Sequence, residues 1–140
     1  MDARLSTSLR ILQLALGLTA TLAGLDKFFN ILADWGSYVS PAVAGLLPVP
    51  VSTFMAVIGI VEIAVGAAVL LLAPRLGAYL ASAWLLLVAI NLVVAGHFDV
   101  AVRDVVMSTA AWTLARGIEV RDGEIVRAGA GRPATRTVTA

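Results

Sequence analysis

The sequence predicts an all-α, membrane-embedded four-helix bundle, and three observations carry that prediction. Sixty per cent of the 140 residues are hydrophobic and only 14% are charged, with a mean hydropathy of +0.95, far from the balance of a soluble domain. Apolar runs recur at about Leu9 to Leu32, Val51 to Leu72, Leu76 to Ala95 and Val100 to Ala115, each close to the roughly 20 residues that cross a bilayer. Arg4, Arg10, Arg75, Arg116, Arg121 and Arg127 all fall at one set of run ends. The expected organisation is a four-span membrane domain over residues 1–117, a small cytoplasmic hairpin over 118–127 and a disordered tail over 128–140.

The first run is read as a retained span, because Leu9 to Phe29 is too long for the apolar region of a signal peptide and lacks a small-residue cleavage site. A long extracytoplasmic loop follows. Trp35 and Tyr38 suit an aromatic belt at headgroup level, Ser40 suits an N-cap, and Pro41 suits the first helical position, so Ser40 to Leu47 is expected to form a short interfacial helix. Pro48 and Pro50 would stop it. The connections at Ala73-Pro74-Arg75 and Gly96-His97-Phe98-Asp99 are short enough to make the second, third and fourth runs antiparallel neighbours.

Past the last run, Ile118-Glu119-Val120-Arg121-Asp122-Gly123-Glu124-Ile125-Val126 alternates around an Asp-Gly pair, the pattern of a two-residue β-hairpin. The tail beyond it is rich in Ala, Gly, Thr, Pro and Arg. The arginine distribution places both termini in the cytoplasm of a multi-pass cell-membrane protein. Lys27 and Arg103 break that rule near the opposite surface, and each has an aspartate as its immediate neighbour.

Those exceptions point to a site. Charged side chains inside a membrane are costly and tend to mark binding or proton pathways. At about 1.5 Å rise per residue, Glu62 falls near the midplane, Asn91 in the outer half, and Lys27, Arg103 and Asp104 nearer the outer surface. Lys27, Glu62, Asn91, Arg103 and Asp104 are therefore the candidate ligand-binding residues of one outward-opening pocket. The pairs Asp26-Lys27 and Arg103-Asp104 can equally serve as structural ion pairs that fix packing. Glu62 needs either a salt-bridge partner reaching across from Lys27 or Arg103, or a proton. Small residues at Gln13-Gly17-Ala20-Gly24-Lys27 spacing, and Gly59 and Gly66 flanking Glu62, let helices approach closely.

Several function classes drop out. A net charge of +1 with scattered arginines argues against nucleic acid. With no cysteine there is no disulfide or thiol chemistry, and the single histidine, His97, has no partner at metal-ligand spacing. No phosphate loop, dinucleotide fingerprint, zinc-protease motif or nucleophile elbow is present, so no catalytic residue, metal or intrinsic cofactor is expected. Trp84 and Trp112 are candidates for stacking on a planar headgroup or for packing.

Taken together, Arg10 and Gly17, Gly24-Leu25-Asp26-Lys27-Phe28, Gly59 to Gly66 around Glu62, Asn91, and Asp99-Val100-Ala101-Val102-Arg103-Asp104 give a pattern over about Arg10 to Ala115 that resembles the DoxX-like small membrane proteins. The resemblance implies an accessory subunit, more than a stand-alone enzyme, of a membrane oxidoreductase system, with a quinone headgroup or another small ligand in the polar pocket. Partner oxidoreductase subunits, or a second copy of the chain, would share its lipid bilayer. The alternative is a non-catalytic membrane scaffold or assembly factor whose polar cluster is structural.

Overall fold

The computed structural model describes residues 3–130. Within them the chain is all-helical, with no strand. Helix α1 spans Ala3–Asp26; a 3-10 turn at Trp35–Tyr38 leads to the short α2 at Pro41–Ala44. Helix α3 (Val51–Ala67) runs without a break into a π-helical turn at Ala68–Leu72, and α4 (Pro74–Val94) and α5 (Phe98–Ala130) complete the chain.

Three of these stretches, Ala3–Asp26, Val51–Leu72 and Pro74–Val94, are long and apolar enough to cross a membrane. Their surfaces agree. Leu14, Leu18, Leu22, Ile60, Leu86 and Ile90 are all exposed, whereas the buried set is dominated by Ala and Gly. Large apolar side chains outside and small ones inside are the inverse of a soluble core, and they mark a membrane protein, in which close backbone approach replaces hydrophobic burial as the source of packing.

The long helices associate as two tight pairs. In α1/α3 the seam is glycine: a Cβ at Gly24 would stand 2.6 Å from the Gly59 carbonyl oxygen, and one at Gly59 would stand 2.5 Å from that of Gly24. In α4/α5 it is alanine and serine, with Ala78, Ala81, Ala111 and Ala115 buried and Ser108 Oγ donating to the Ser82 carbonyl at 2.7 Å. The pairs are joined, at the end opposite the Trp35–Ala44 segment, by an apolar core of Leu9, Leu16, Val69, Leu114 and Ile118. There the π-turn shifts the backbone register, and Gln13 Nε2 donates to the carbonyls of Val69 and Leu70, at 2.8 and 3.3 Å. Gly77 of α4 lies directly against this turn, where a Cβ would be 2.5 Å from the Val69 nitrogen.

Three expectations need correction. The stretch 118–127 is not a hairpin, because α5 continues through it to Ala130. Extending an existing helix needs no new nucleus, whereas a two-stranded ribbon alone is marginal. Ile118, 2% exposed, is anchored in the core, and Arg116 pairs with Glu119 one turn on, at 2.6 Å. Gly123 costs the helix about 1 kcal/mol, less than the hairpin would lose for want of a surface to pack on. The expected disorder from residue 128 fails for the helical backbone of 128–130; the rest of that tail lies outside the described residues. The first helix also ends at Asp26, earlier than Leu32, and a tight turn follows with Asn30 in the left-handed region at φ 52°, a conformation asparagine tolerates.

Candidate functional site in the capped half

Because Gly24 packs against Gly59 and Glu62, the end of α1 lies well below the start of α3. Three residues after Gly24, Lys27 therefore emerges opposite Glu62 rather than at the surface. Its Nζ donates to Glu62 Oε2 at 2.5 Å, and the two side chains are only 4% and 13% exposed. Trp84 Nε1 approaches the other oxygen, Oε1, at 3.5 Å. On its far side Nζ sits 3.7 Å from the centre of the Trp35 ring, a cation–π contact that strengthens when water is excluded.

The low exit of α1 leaves a space above it, and the loop from Asn30 to Pro50 folds over that space as a cap. Asp26 holds one side of the cap, accepting from the backbone N–H of Ile31 (3.0 Å) and Leu32 (2.8 Å) and from Trp35 Nε1 (2.8 Å). Asn91 of α4 holds the other: its Oδ1 accepts from Ser40 N at 3.1 Å and its Nδ2 donates to the Tyr38 carbonyl at 2.8 Å. Ser40, 1% exposed, caps α2 by accepting from Val43 N at 3.3 Å. His97 adds an outer contact, Nε2 to the Ser37 carbonyl at 3.1 Å, with its ring edge-on to Tyr38.

Beneath the cap and between the two helix pairs lies a cavity of about 900 Å³. Its walls are mostly apolar. Lys27, Glu62, Asn91, Arg103 and Asp104, the five residues singled out from the sequence, all line it. Their roles in the geometry differ. Lys27 and Glu62 form a buried pair in its wall; Asn91 is occupied by the cap; Asp104 is 7% exposed; and Arg103, 64% exposed at its side chain, turns outward with Nε 3.7 Å from Asp104 Oδ1. The expected Asp26-Lys27 pair does not form. Asp26 is taken up by three N–H donors and Lys27 by Glu62, because consecutive residues at a helix end point in different directions.

Sequence reasoning missed Trp35, assigned to a headgroup belt, which instead covers the lysine. The signal was its place in the loop, nine residues after an aspartate at a helix end. Asp26 was missed as a loop clamp for the same reason. Trp112, in contrast, is exposed and lies away from the cavity.

Such a chamber can hold an uncharged or zwitterionic molecule. Its lining carries two cations, Lys27 and Arg103, and two anions, Glu62 and Asp104, so a ligand of net charge would be left unbalanced in a low-dielectric site. No family model, no characterised protein and no solved structure matches the chain.

Proposed function

We propose that this chain is a DoxX-like, four-span integral membrane protein with both termini cytoplasmic, acting as an accessory subunit of a membrane oxidoreductase system. The capped cavity would then face outward and hold a quinone headgroup or a comparable small ligand. In this reading α5 supplies the fourth span despite Asp99, Arg103 and Asp104, because its buried face packs on α4. The single observation that carries the proposal is the cavity of about 900 Å³ with a buried Lys27–Glu62 pair in its wall. Pockets of this size, mainly apolar with a few polar groups, are where small ligands bind.

The residues present suit such a headgroup. Lys27 has N–H groups beyond the one given to Glu62, Trp84 Nε1 makes only a long contact, and carbonyl oxygens accept from donors of this kind. The rings of Trp35 and Trp84 offer planar walls. A quinone, when bound, supplies electron carriage. The chain's own part is to orient the headgroup, exclude water beneath the cap and keep the chamber neutral overall.

The test is purification in mild detergent, followed by extraction and mass spectrometry. A quinone or other amphiphile should be recovered with the wild-type protein, and Glu62→Gln should lose it while keeping its helical circular dichroism. Undiminished retention by Glu62→Gln would remove Glu62 from the site. The scaffold reading draws on a specific observation too, since Asp26 and Asn91 direct their hydrogen bonds to the cap. Under it no ligand is recovered, and the same variants change thermal stability alone.

A further inference from the structure

The loop shuts the chamber at its capped end but not at its sides. Closure at the cap rests on the hydrogen bonds of Asp26 and Asn91 to the loop and on the His97 contact to Ser37, and a molecule passing that way would have to break them. No such seal lies between α3 and α4. Helix α4 meets the α3 run chiefly at the π-turn, where Gly77 lies against Ala68 and Val69, and the chamber opens between the two helices toward the cap. At about 100° per residue, Phe54, Ile58 and Val65 of α3 fall on the opposite side of its lining face from the Gly59 and Gly66 seam with α1. Leu87, Ile90 and Val94 of α4 likewise fall away from the Ala78 seam with α5. These three line the chamber and are each more than half exposed, so the gap joins the chamber to the apolar outer surface.

The gap between α1 and α5 is different. Its edges are Thr19, Leu22 and Arg103, and the guanidinium paired with Asp104 there sets a charge in the path of an apolar chain. Among the described residues no buried side-chain polar atom lacks a partner. The walls therefore ask for apolar surface before hydrogen bonds, and a space of that character is filled more favourably by hydrocarbon than by water.

We infer that the chamber is filled from the side: a long-tailed amphiphile dissolved in the bilayer enters and leaves between α3 and α4, without opening the cap. This deepens the ligand-site reading above and rests on it. It assigns Leu87, Ile90 and Val94 to a portal and confines the ligand class to molecules that partition into lipid.

The experiment follows exchange of tritiated decylubiquinone against unlabelled probe on the full chain in lipid nanodiscs. Ile90→Trp fills the portal and should slow exchange about tenfold, whereas Leu87→Ala trims it and should speed exchange by a similar factor. Equilibrium binding should stay the same in both, because a change in the passage alters entry and exit together. The opposed signs keep the test decisive if one of the two variants does not fold. Thr19→Trp, the same bulk in the other gap, and His97→Ala, which loosens the cap, should exchange at the wild-type rate. Wild-type exchange in Ile90→Trp and Leu87→Ala, or slowing by Thr19→Trp or acceleration by His97→Ala in their place, would overturn the inference while leaving a ligand cavity. Absence of probe binding to the wild-type protein would remove the ligand-site reading as well.

Discussion

The half of the molecule opposite the cap and the half beneath it are built from the same four long helices, yet one is solid and the other hollow. Opposite the cap, Leu9, Val69, Ala78, Leu114 and Ile118 close the interior with side chains no more than 7% exposed, and the part-buried Gln13 adds hydrogen bonds to the π-turn. Under the cap the helix pairs separate around about 900 Å³, and the interior is held by ionic and hydrogen-bonded contacts. The difference teaches that the two halves are held by different kinds of contact. Close packing of small residues gives stability without selectivity for a ligand, whereas a buried ion pair is a poor way to stabilise a bundle and persists where a polar chamber is needed.

Four tests would break or sharpen that contrast, in falling order of expected effect. Removing one partner of the buried pair, as in Glu62→Ala, should cost about 3–5 kcal/mol because Lys27 is left buried and unpaired. The double change Lys27→Met with Glu62→Leu should recover most of this in a thermal unfolding scan while abolishing ligand retention. Next, Leu114→Ala in the solid half should cost about 2–5 kcal/mol by opening a void, but Leu85→Ala, on the cavity wall, should cost less than about 1 kcal/mol since that side chain already borders empty space. Equal losses at the two leucines would mean the halves are packed alike. Trp35→Leu removes the N–H that Asp26 accepts and the ring beside Lys27, and should destabilise by about 1–3 kcal/mol, with faster proteolysis in the loop 30–50 as the reading. The smallest effect is expected at His97→Ala, about 0.5–1.5 kcal/mol, through loosening of the outer edge of the cap alone.

Much of this contrast was legible in the sequence, for definite reasons. Apolar runs and the positions of Pro41, Pro74 and the glycines follow from local chemistry, and the helices begin and pack accordingly. A shared depth was also readable, because charges within apolar runs are costly in lipid: Lys27, Glu62, Asn91, Arg103 and Asp104 all line the cavity, although the Arg103 side chain turns outward. Pairing was less legible. Adjacency in sequence suggested Asp26 with Lys27, but the offset between α1 and α3, set by Gly24 against Gly59, hands the lysine to Glu62 and the aspartate to the loop. Nothing local encodes that offset. Alternation around Asp122-Gly123 likewise reads as a hairpin to any short window, and only the helix already running into it, anchored at Ile118, decides otherwise. The π-turn at Ala68–Leu72 had no sequence sign beyond Gln13, whose partners lie over fifty residues away.

The central claim is that the capped half is an open chamber, the proposed ligand site, while the half opposite the cap is closed. The absence of cysteine from the sequence makes a direct measurement simple, since one introduced thiol is the only reactive one. Val88→Cys would place it on the cavity wall and Ala115→Cys in the solid core, where the residue is 0% exposed. With methyl methanethiosulfonate in native membranes, Val88→Cys should react and be protected by an added long-chain quinone, while Ala115→Cys should stay unmodified. A Val88→Cys thiol as inert as that at Ala115, or one whose labelling no such amphiphile slows, would contradict the account.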